Sequence, residues 1–292
     1  MSNINRYIAL QKIMEAGSFT KAAEHLGYTQ SSISQMMASL ENELGIKLLK
    51  RSRTGVSLTI EGKELYPFIE RTILQYRAMQ EKANEIKGLE TGIIRVGTIS
   101  SITCHWMPQL IKGFQNHYPY VQFLFHQGDY TLIPEWIRTG AIDFGFVTPH
   151  AVTDLHTIPI KDGEMLAVLP KRHPLAELER VPLKELTKEP FILLEEGSYS
   201  EPLNAFFEAG LQPDIKYTIH DDYAIMTMME AGLGVSILAE LMLRRTSFDI
   251  ACRPIAPSIC RSLAIAYKDK DSLPIASKYF IAYLREHIDQ LP

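Results

Sequence analysis

Three glycines, Gly17, Gly27 and Gly45, cut the first 45 residues into three short segments of helical pattern, and this punctuation constrains the fold more than any other feature of the chain. Glycine enters the left-handed conformation that ends a helix at little cost. Before Gly17, Tyr7, Leu10 and Met14 recur at helical spacing. Ser18 or Thr20 can cap the next segment, Lys21 to Leu26, where Ala22 and Ala23 permit close packing. Thr29 caps a third segment to about Glu43, with Ile33, Met36 or Met37, Leu40 and Leu44 toward the core. Two short helices joined by a tight turn, the second with a polar face, form a helix-turn-helix.

That polar face carries Thr29, Gln30, Ser31, Ser32, Ser34 and Gln35. Hydroxyls and amides of this kind donate to phosphates or reach base edges in the major groove. A polar face is more often merely solvated, so the segment on its C-terminal side carries weight. Leu48 to Thr59 reads as a strand, a basic turn holding Lys50, Arg51, Arg53, Thr54 and Gly55, and a second strand, which together make a wing. Basic wing residues can straddle the DNA backbone or enter the minor groove.

The run from Ala16 to Gly27 resembles the second helix of the LysR family of transcriptional regulators. Gln30 to Gln35, Leu40 to Gly45 and Leu58 to Gly62 continue the family's pattern in the same order. Met36 and Met37 depart from it where a basic residue is common, and Thr54 where an arginine is common. The resemblance implies a sequence-specific DNA-binding regulator, not an enzyme. It also implies a C-terminal domain that binds a small-molecule effector.

A long helix comes next, capped by Thr59 and running to about Lys87, with Pro67 in its first turns. Leu65, Ile69, Thr72, Tyr76, Met79, Ala83 and Ile86 alternate by four and three, a heptad seam suited to pairing two helices. The competing reading, a helix lying on its own domain, asks for a broader apolar stripe. The family resemblance implies a homodimer through this helix and a homotetramer through the rear domains. A two-fold dimer calls for a roughly palindromic DNA site, and RNA polymerase is the expected further partner.

Beyond Gly88 to Gly92 the pattern changes to alternating strands and helices: strands at 93–96, 121–126 and 142–147, helices at 103–116 and 132–139. Such alternation implies βαβ units and a parallel sheet. Segments around Leu166, Ile192, Ile215 and Val235 repeat it as a second lobe, and Leu263 to Tyr267 with a final helix at 274–288 return to the first. The expected architecture is therefore α/β overall. A winged helix-turn-helix spans 1–59, a linker helix 60–90, and a two-lobed effector domain 91–292 resembles periplasmic binding proteins. Lobe I covers about 91–161 and 266–292, and lobe II about 162–265. Asp143 after Gly140, and Ala231 to Val235, also resemble that domain's recurring pattern.

In open α/β sheets ligands bind beyond the carboxyl ends of the strands. Following each strand to its end yields Ser100, Ser101, Ile102 and Thr103, then Gly128 and Asp129, then Thr148. The second lobe adds Glu196, Gly197, Ser198, Tyr199, His220 and Asp221. The hydroxyls leading into the helix after the first strand could hold a carboxylate or phosphate, or serve only as a helix cap. Asp221 also suits a cap, and Asp129 a solvated loop. Asp129, Glu195, Glu196, Asp221 and Asp222 make the rim acidic, which disfavours a multiply charged anion. His126, His150 and His220 read as ordinary polar residues rather than metal ligands, and no cofactor is expected.

Composition narrows the class further. Apolar residues make up 46% and charged residues 22%, as in a globular protein. No run of about 18 apolar residues is present, so no membrane span is expected. Met1 to Gln11 lacks the basic, apolar and small-residue regions of a signal peptide, so a cytoplasmic location is expected. Residues 1–90 carry 12 Lys and Arg against 10 Asp and Glu, while 91–292 carry 18 against 24, placing the positive excess in front. Cys104, Cys252 and Cys260 form no CxxC pair; the last two could be a redox pair or idle thiols. GxSxG, GxxxxGK and HExxH are all absent, which speaks against an enzyme on the same scaffold. A transported-solute receptor would share the rear architecture but has no use for a winged helix.

Overall fold

The computed structural model describes residues 3–52, 55–86 and 92–292, and the chain divides into two compact units after Ile86. The front unit runs α1 (Asn3–Ala16), α2 (Phe19–Leu26), α3 (Gln30–Leu44), β1 (Leu49–Ser52), β2 (Gly55–Leu58) and α4 (Ile60–Ile86). Gly27 and Gly45 end α2 and α3 with φ of 68° and 67°. Ser18 caps α2, which starts at Phe19, two residues ahead of the apolar pattern. In α1 the fully buried face is Ala9, Leu10 and Ile13, while Tyr7 and Met14 stay at its margin. Met36 and Met37 are both buried, because α3 is covered on two sides.

The linker seam divides along α4. Ile69 and Ile73 are buried in the front core, and Leu65 and Tyr76 pack against it. That half of the seam, with Ile73 added, serves its own domain: the stripe is broader at this end than a pure heptad. Phe68 and Met79 stand 62% and 60% exposed on another face, with Thr72 exposed between them.

The rear unit begins with β3 (Gly92–Thr98), α5 (Ser100–His105), α6 (Met107–Gln115), β4 (Val121–Gln127), α7 (Leu132–Thr139) and β5 (Phe144–Val147). The single helix expected at 103–116 is broken at Trp106. Pro108, at the start of α6, has no amide to continue a helix, and the buried Trp106 indole donates to the Pro292 carbonyl at 3.1 Å. β3 pairs in parallel with β4 and β5. The long strand β6 (His156–Pro170) then leads into β7 (Val181–Pro182), α8 (Leu183–Leu186), β8 (Pro190–Leu194), α9 (Glu201–Glu208), β9 (Asp214–Ile219) and α10 (Asp222–Glu230). β10 (Ser236–Ala239), α11 (Glu240–Leu243), β11 (Ile250–Tyr267) and α12 (Ile275–His287) complete the unit.

The main sheet has the order β10-β6-β11-β5-β3-β4, with β7 on β11, and β8 and β9 form a separate parallel pair. β6 and β11 are antiparallel and continuous through both lobes, where the pattern had suggested separate short strands. The first lobe packs Ile94, Val96, Phe114, Phe144, Phe146 and Phe280 around the sheet, and Leu263 to Tyr267 of β11 join this core. In the second lobe, Ala167 and Leu169 face one cluster with Phe191 and Phe206. Val168, between them, faces another with Ile192 and Met229. That alternation is the period-two geometry of a strand buried on both faces. Among the described residues no helix is long and apolar enough to cross a membrane.

Candidate functional sites: the helix-turn-helix face and the cleft between the lobes

On the front unit, Thr29 caps α3, its hydroxyl accepting from the Ser32 amide at 3.2 Å and lying within 2.9 Å of both the Ser31 and Ser32 hydroxyls. These short side chains are partly engaged in the cap. Gln30 and Gln35 are exposed, Gln30 donating to the Ser34 hydroxyl at 3.2 Å, and Ser32 and Ser34 are half-buried. Tyr28, exposed just before the cap, is a neighbour that helical periodicity does not single out.

Glu41 fastens the wing. Its Oε1 accepts from the Leu48 and Leu49 amides at 2.9 and 3.1 Å, and its Oε2 from Lys47 at 2.7 Å. Burial alone would raise this carboxyl, but the Lys47 and backbone hydrogen bonds hold it below the usual range. Lys50 is exposed on β1 opposite Ser57, and Arg51 takes its place in the same strand opposite Val56. Arg53 and Thr54 lie outside the described residues.

On the rear unit, a cavity of about 350 Å³ opens between the lobes. Ser100, Ser101, Gly128, Asp129, Glu196 and His220, all named from strand ends, line it. The other residues named from strand ends are not among those lining it. Ile102 is buried in the first-lobe core, and Thr103 donates to Thr98 Oγ1 and the Ile99 carbonyl, both at 3.1 Å. Thr148 is fully buried, and its hydroxyl has no partner among the described residues. Asp221 caps α10 through the Ala224 amide at 3.0 Å. Tyr199 stacks on His150, ring centroids 5.4 Å apart.

Gly197 belongs to a seam between two loops, one from each lobe. It sits at φ +86°, where a Cβ would fall 2.6 Å from Thr131 Oγ1 and 2.8 Å from Asp129 Oδ1. Beside it the Tyr130 amide donates to the Glu196 carbonyl at 2.9 Å, and Ser198 Oγ donates to the Tyr130 carbonyl at 2.9 Å. Asp129 itself caps the turn into α7 through the Thr131 and Leu132 amides.

At the polar centre of the cavity Ser101, Glu196 and Asp222 were anticipated, whereas Arg261, Tyr130 and Glu201 were not. Arg261, 5% exposed on β11, donates from Nε to the Tyr130 hydroxyl at 2.9 Å and from Nη2 to Glu196 Oε1 at 2.7 Å. Its Nη1 reaches Ser101 Oγ at 3.5 Å, and its Nε stands 3.9 Å from Glu201 Oε1. Burial pushes the Glu196 carboxyl up to about 7; Arg261 opposes this, and Glu201 and Asp222 add to it. Burial likewise raises Glu201, and raises Asp222 against a hydrogen bond from Ser100 and the charge of Arg261. A charge at the head of the apolar run 263–267 was the available signal for Arg261: strand positions beside a core bury a charge only with partners.

The histidines considered as metal ligands are dispersed: His126 packs on Trp136, His150 on Tyr199, and His220 lines the cavity. The three cysteines are free thiols. Cys252 and Cys260 pair opposite Val168 and Glu164. Four residues of strand separate those partners, about 13 Å, beyond the roughly 4.4–6.8 Å between Cα atoms that a disulfide spans.

A winged helix-turn-helix on one unit and a two-lobed α/β domain with a cleft at its strand ends on the other define a DNA-binding regulator with a ligand-binding domain. Residues 4–63 match the model of the bacterial regulatory helix-turn-helix protein, lysR family, and residues 87–289 match that of the LysR substrate binding domain. The chain belongs to the LysR family of bacterial transcriptional regulators, which are not enzymes. It is 32% identical to the uncharacterized HTH-type transcriptional regulator YvbU of Bacillus subtilis (strain 168), over 94% of this chain and 95% of that one. It is 28% identical to the HTH-type transcriptional regulator CysB of Haemophilus influenzae, over 97% and 89%. Among solved structures, a full-length OxyR variant from Pseudomonas aeruginosa shares the fold with a TM-score of 0.72 at 24% identity, covering 99% of this chain and 98% of that one. CbnR complexed with its target DNA does so with a TM-score of 0.66 at 21% identity, covering 98% and 99%.

Proposed function

We propose that this regulator reads promoter DNA with α3 and the wing, and changes its DNA-bound arrangement when a small molecule occupies the cleft between its rear lobes. The cavity carries the second half of this reading, because its walls come from both lobes, which are joined by the long strands β6 and β11, the loop seam and the packing of α11 on α5. A ligand touching both walls favours one lobe arrangement over another in proportion to its differential affinity.

Thr29, Gln30, Ser31, Ser32, Ser34 and Gln35 are assigned to the DNA face, and Lys50, Arg51, Arg53 and Thr54 to the backbone. Ser100, Ser101, Gly128, Asp129 and His220 are assigned to the effector. Ile102, Thr103, Thr148, Gly197, Ser198, Tyr199 and Asp221 lie outside the cavity lining and are assigned to the loops that shape it. Pairing of two chains through α4 is supported by the exposed stripe Phe68, Thr72 and Met79, whose spacings of four and seven match a heptad. A tetramer, contact with RNA polymerase and a cytoplasmic location complete the proposal. Two variants separate the DNA roles. Arg51→Ala is expected to weaken binding to every sequence and to reduce the salt slope by about one. Gln30→Ala is expected to cost about 1–3 kcal/mol on the specific site and to blur preference between sites. Equal losses on specific and random DNA for both variants, measured by anisotropy titration, would contradict the assignment.

A further inference from the structure

The cleft's charge goes beyond what the expectation of a bound carboxylate allowed for. Among the described residues lining it, Asp129, Glu195, Glu196 and Asp222 are carboxylates and Arg261 is the only lysine or arginine. Arg261 is already engaged with Tyr130, Glu196 and Ser101, and faces Glu201 from 3.9 Å. Glu201 is 4% exposed, its Oε1 directed at the Tyr130 hydroxyl and Arg261, while its Oε2 has no partner among the described residues. One guanidinium thus stands against the half-buried Glu196 at 2.7 Å and the buried Glu201 at 3.9 Å, with the half-buried Asp222 in its field. Ser100 accepts from Gln127 at 3.0 Å, and α5 behind it has only six residues. Ile99, Leu132, Met165, Leu194, Ala239 and Met242 supply an apolar wall around this acidic centre.

We propose that the occupant of this cavity carries a positively charged nitrogen head, an ammonium or amidinium on an apolar body, received by Glu196 and Asp222. Arg261 is then an internal counter-ion that holds Glu196 and Tyr130 in place, not the receptor of an anionic ligand. A ligand cation supplies the positive charge that the three carboxyls lack, and its apolar body covers the wall. The raised carboxyls agree: Glu196 faces Arg261 on β11, Tyr130 before α7, Glu201 on α9 and Asp222 on α10, and one positive group does not offset their burial. A cation binding here displaces protons from them, so its affinity rises with pH through neutrality. This inference rests on reading the cleft as the effector site.

The test uses the full-length chain with three probes of one shape, benzamidine, benzamide and benzoate, whose heads are positive, neutral and negative near neutral pH. Calorimetric titration is expected to give benzamidine an affinity about tenfold or more above the other two. Glu196→Gln and Asp222→Asn are each expected to remove most of that preference while circular dichroism remains that of the wild type. Benzoate binding as tightly as benzamidine, or no preference among the three up to millimolar concentration, overturns the proposal. The effector reading is tested apart from it by following the DNA complex in parallel. If benzamidine binds through Asp222 and the DNA complex never changes, the charge assignment stands and the coupling falls. If benzoate alters the DNA complex, the coupling stands and the charge assignment falls.

Discussion

Two carboxylate sites in this molecule are built on opposite terms. Under the wing, Glu41 receives two backbone amides and a lysine and is held below the usual carboxylate range. In the cleft, Glu196, Glu201 and Asp222 share one arginine and are pushed above it by burial. A carboxylate whose acceptors are filled by its own fold is a fastening: its work is done when the chain folds. Carboxyls left short of positive charge in and beside an open cavity, and raised by burial, suit a surface that receives a partner. The difference separates structural charge from charge that awaits a partner.

Acidity and truncation break the comparison at opposite ends. The larger effect is expected in the cleft. A carboxyl whose folded value is raised contributes stability at low pH and loses it as pH rises from the unfolded value near 4.5. For Glu196, with a folded value of about 7, the loss extends through neutral pH. Glu196→Gln is expected to flatten the fall in stability between pH 5 and 8, leaving the smaller slope of Glu201 and Asp222. Urea melts of the rear unit's transition at a series of pH values read this directly; a slope unchanged in Glu196→Gln would remove Glu196 from the buried set.

Glu41 should behave with the opposite sign and a smaller size. Its folded value is lowered, so its contribution is full above the unfolded value and is lost as pH falls through the folded one. Glu41→Ala leaves the Leu48 and Leu49 amides without their acceptor, a cost of about 1–3 kcal/mol to the front unit at neutral pH. The gap between variant and wild type should shrink toward pH 3, as measured by amide exchange in β1 and β2. A gap that widens on acidification would mean that the wing is held by something else.

The same division explains what the sequence could disclose. Gly27, Gly45, Thr29 and Thr59 mark element ends through purely local chemistry, and the front unit keeps to them closely. The strand-end rule likewise brought Ser100, Ser101, Gly128, Asp129 and His220 to one cavity from separated segments. Arg261, Tyr130 and Glu201 escaped because their meaning is not local: they come together over 60 to 131 positions, through a strand that crosses both lobes. The linker seam shows a different limit. Leu65, Ile69 and Tyr76 satisfy a heptad on paper, yet the same spacing packs them on their own domain, and periodicity does not say which surface is nearest. Asp143 illustrates the middle case. It belongs to the family's pattern, and its carboxylate accepts from the Arg95 amide at 2.8 Å and the Ser277 hydroxyl at 2.9 Å, a staple within the first lobe.

The most direct measurement is a mobility-shift titration of the full-length protein on the DNA upstream of its own gene, with random DNA as competitor, at stepped salt concentrations. A specific complex that forms in two steps and weakens steeply with salt is the expected result for a paired winged helix reading a two-part site. Binding to random DNA with equal affinity, by protein that is folded and paired, would contradict the assignment of sequence reading to α3.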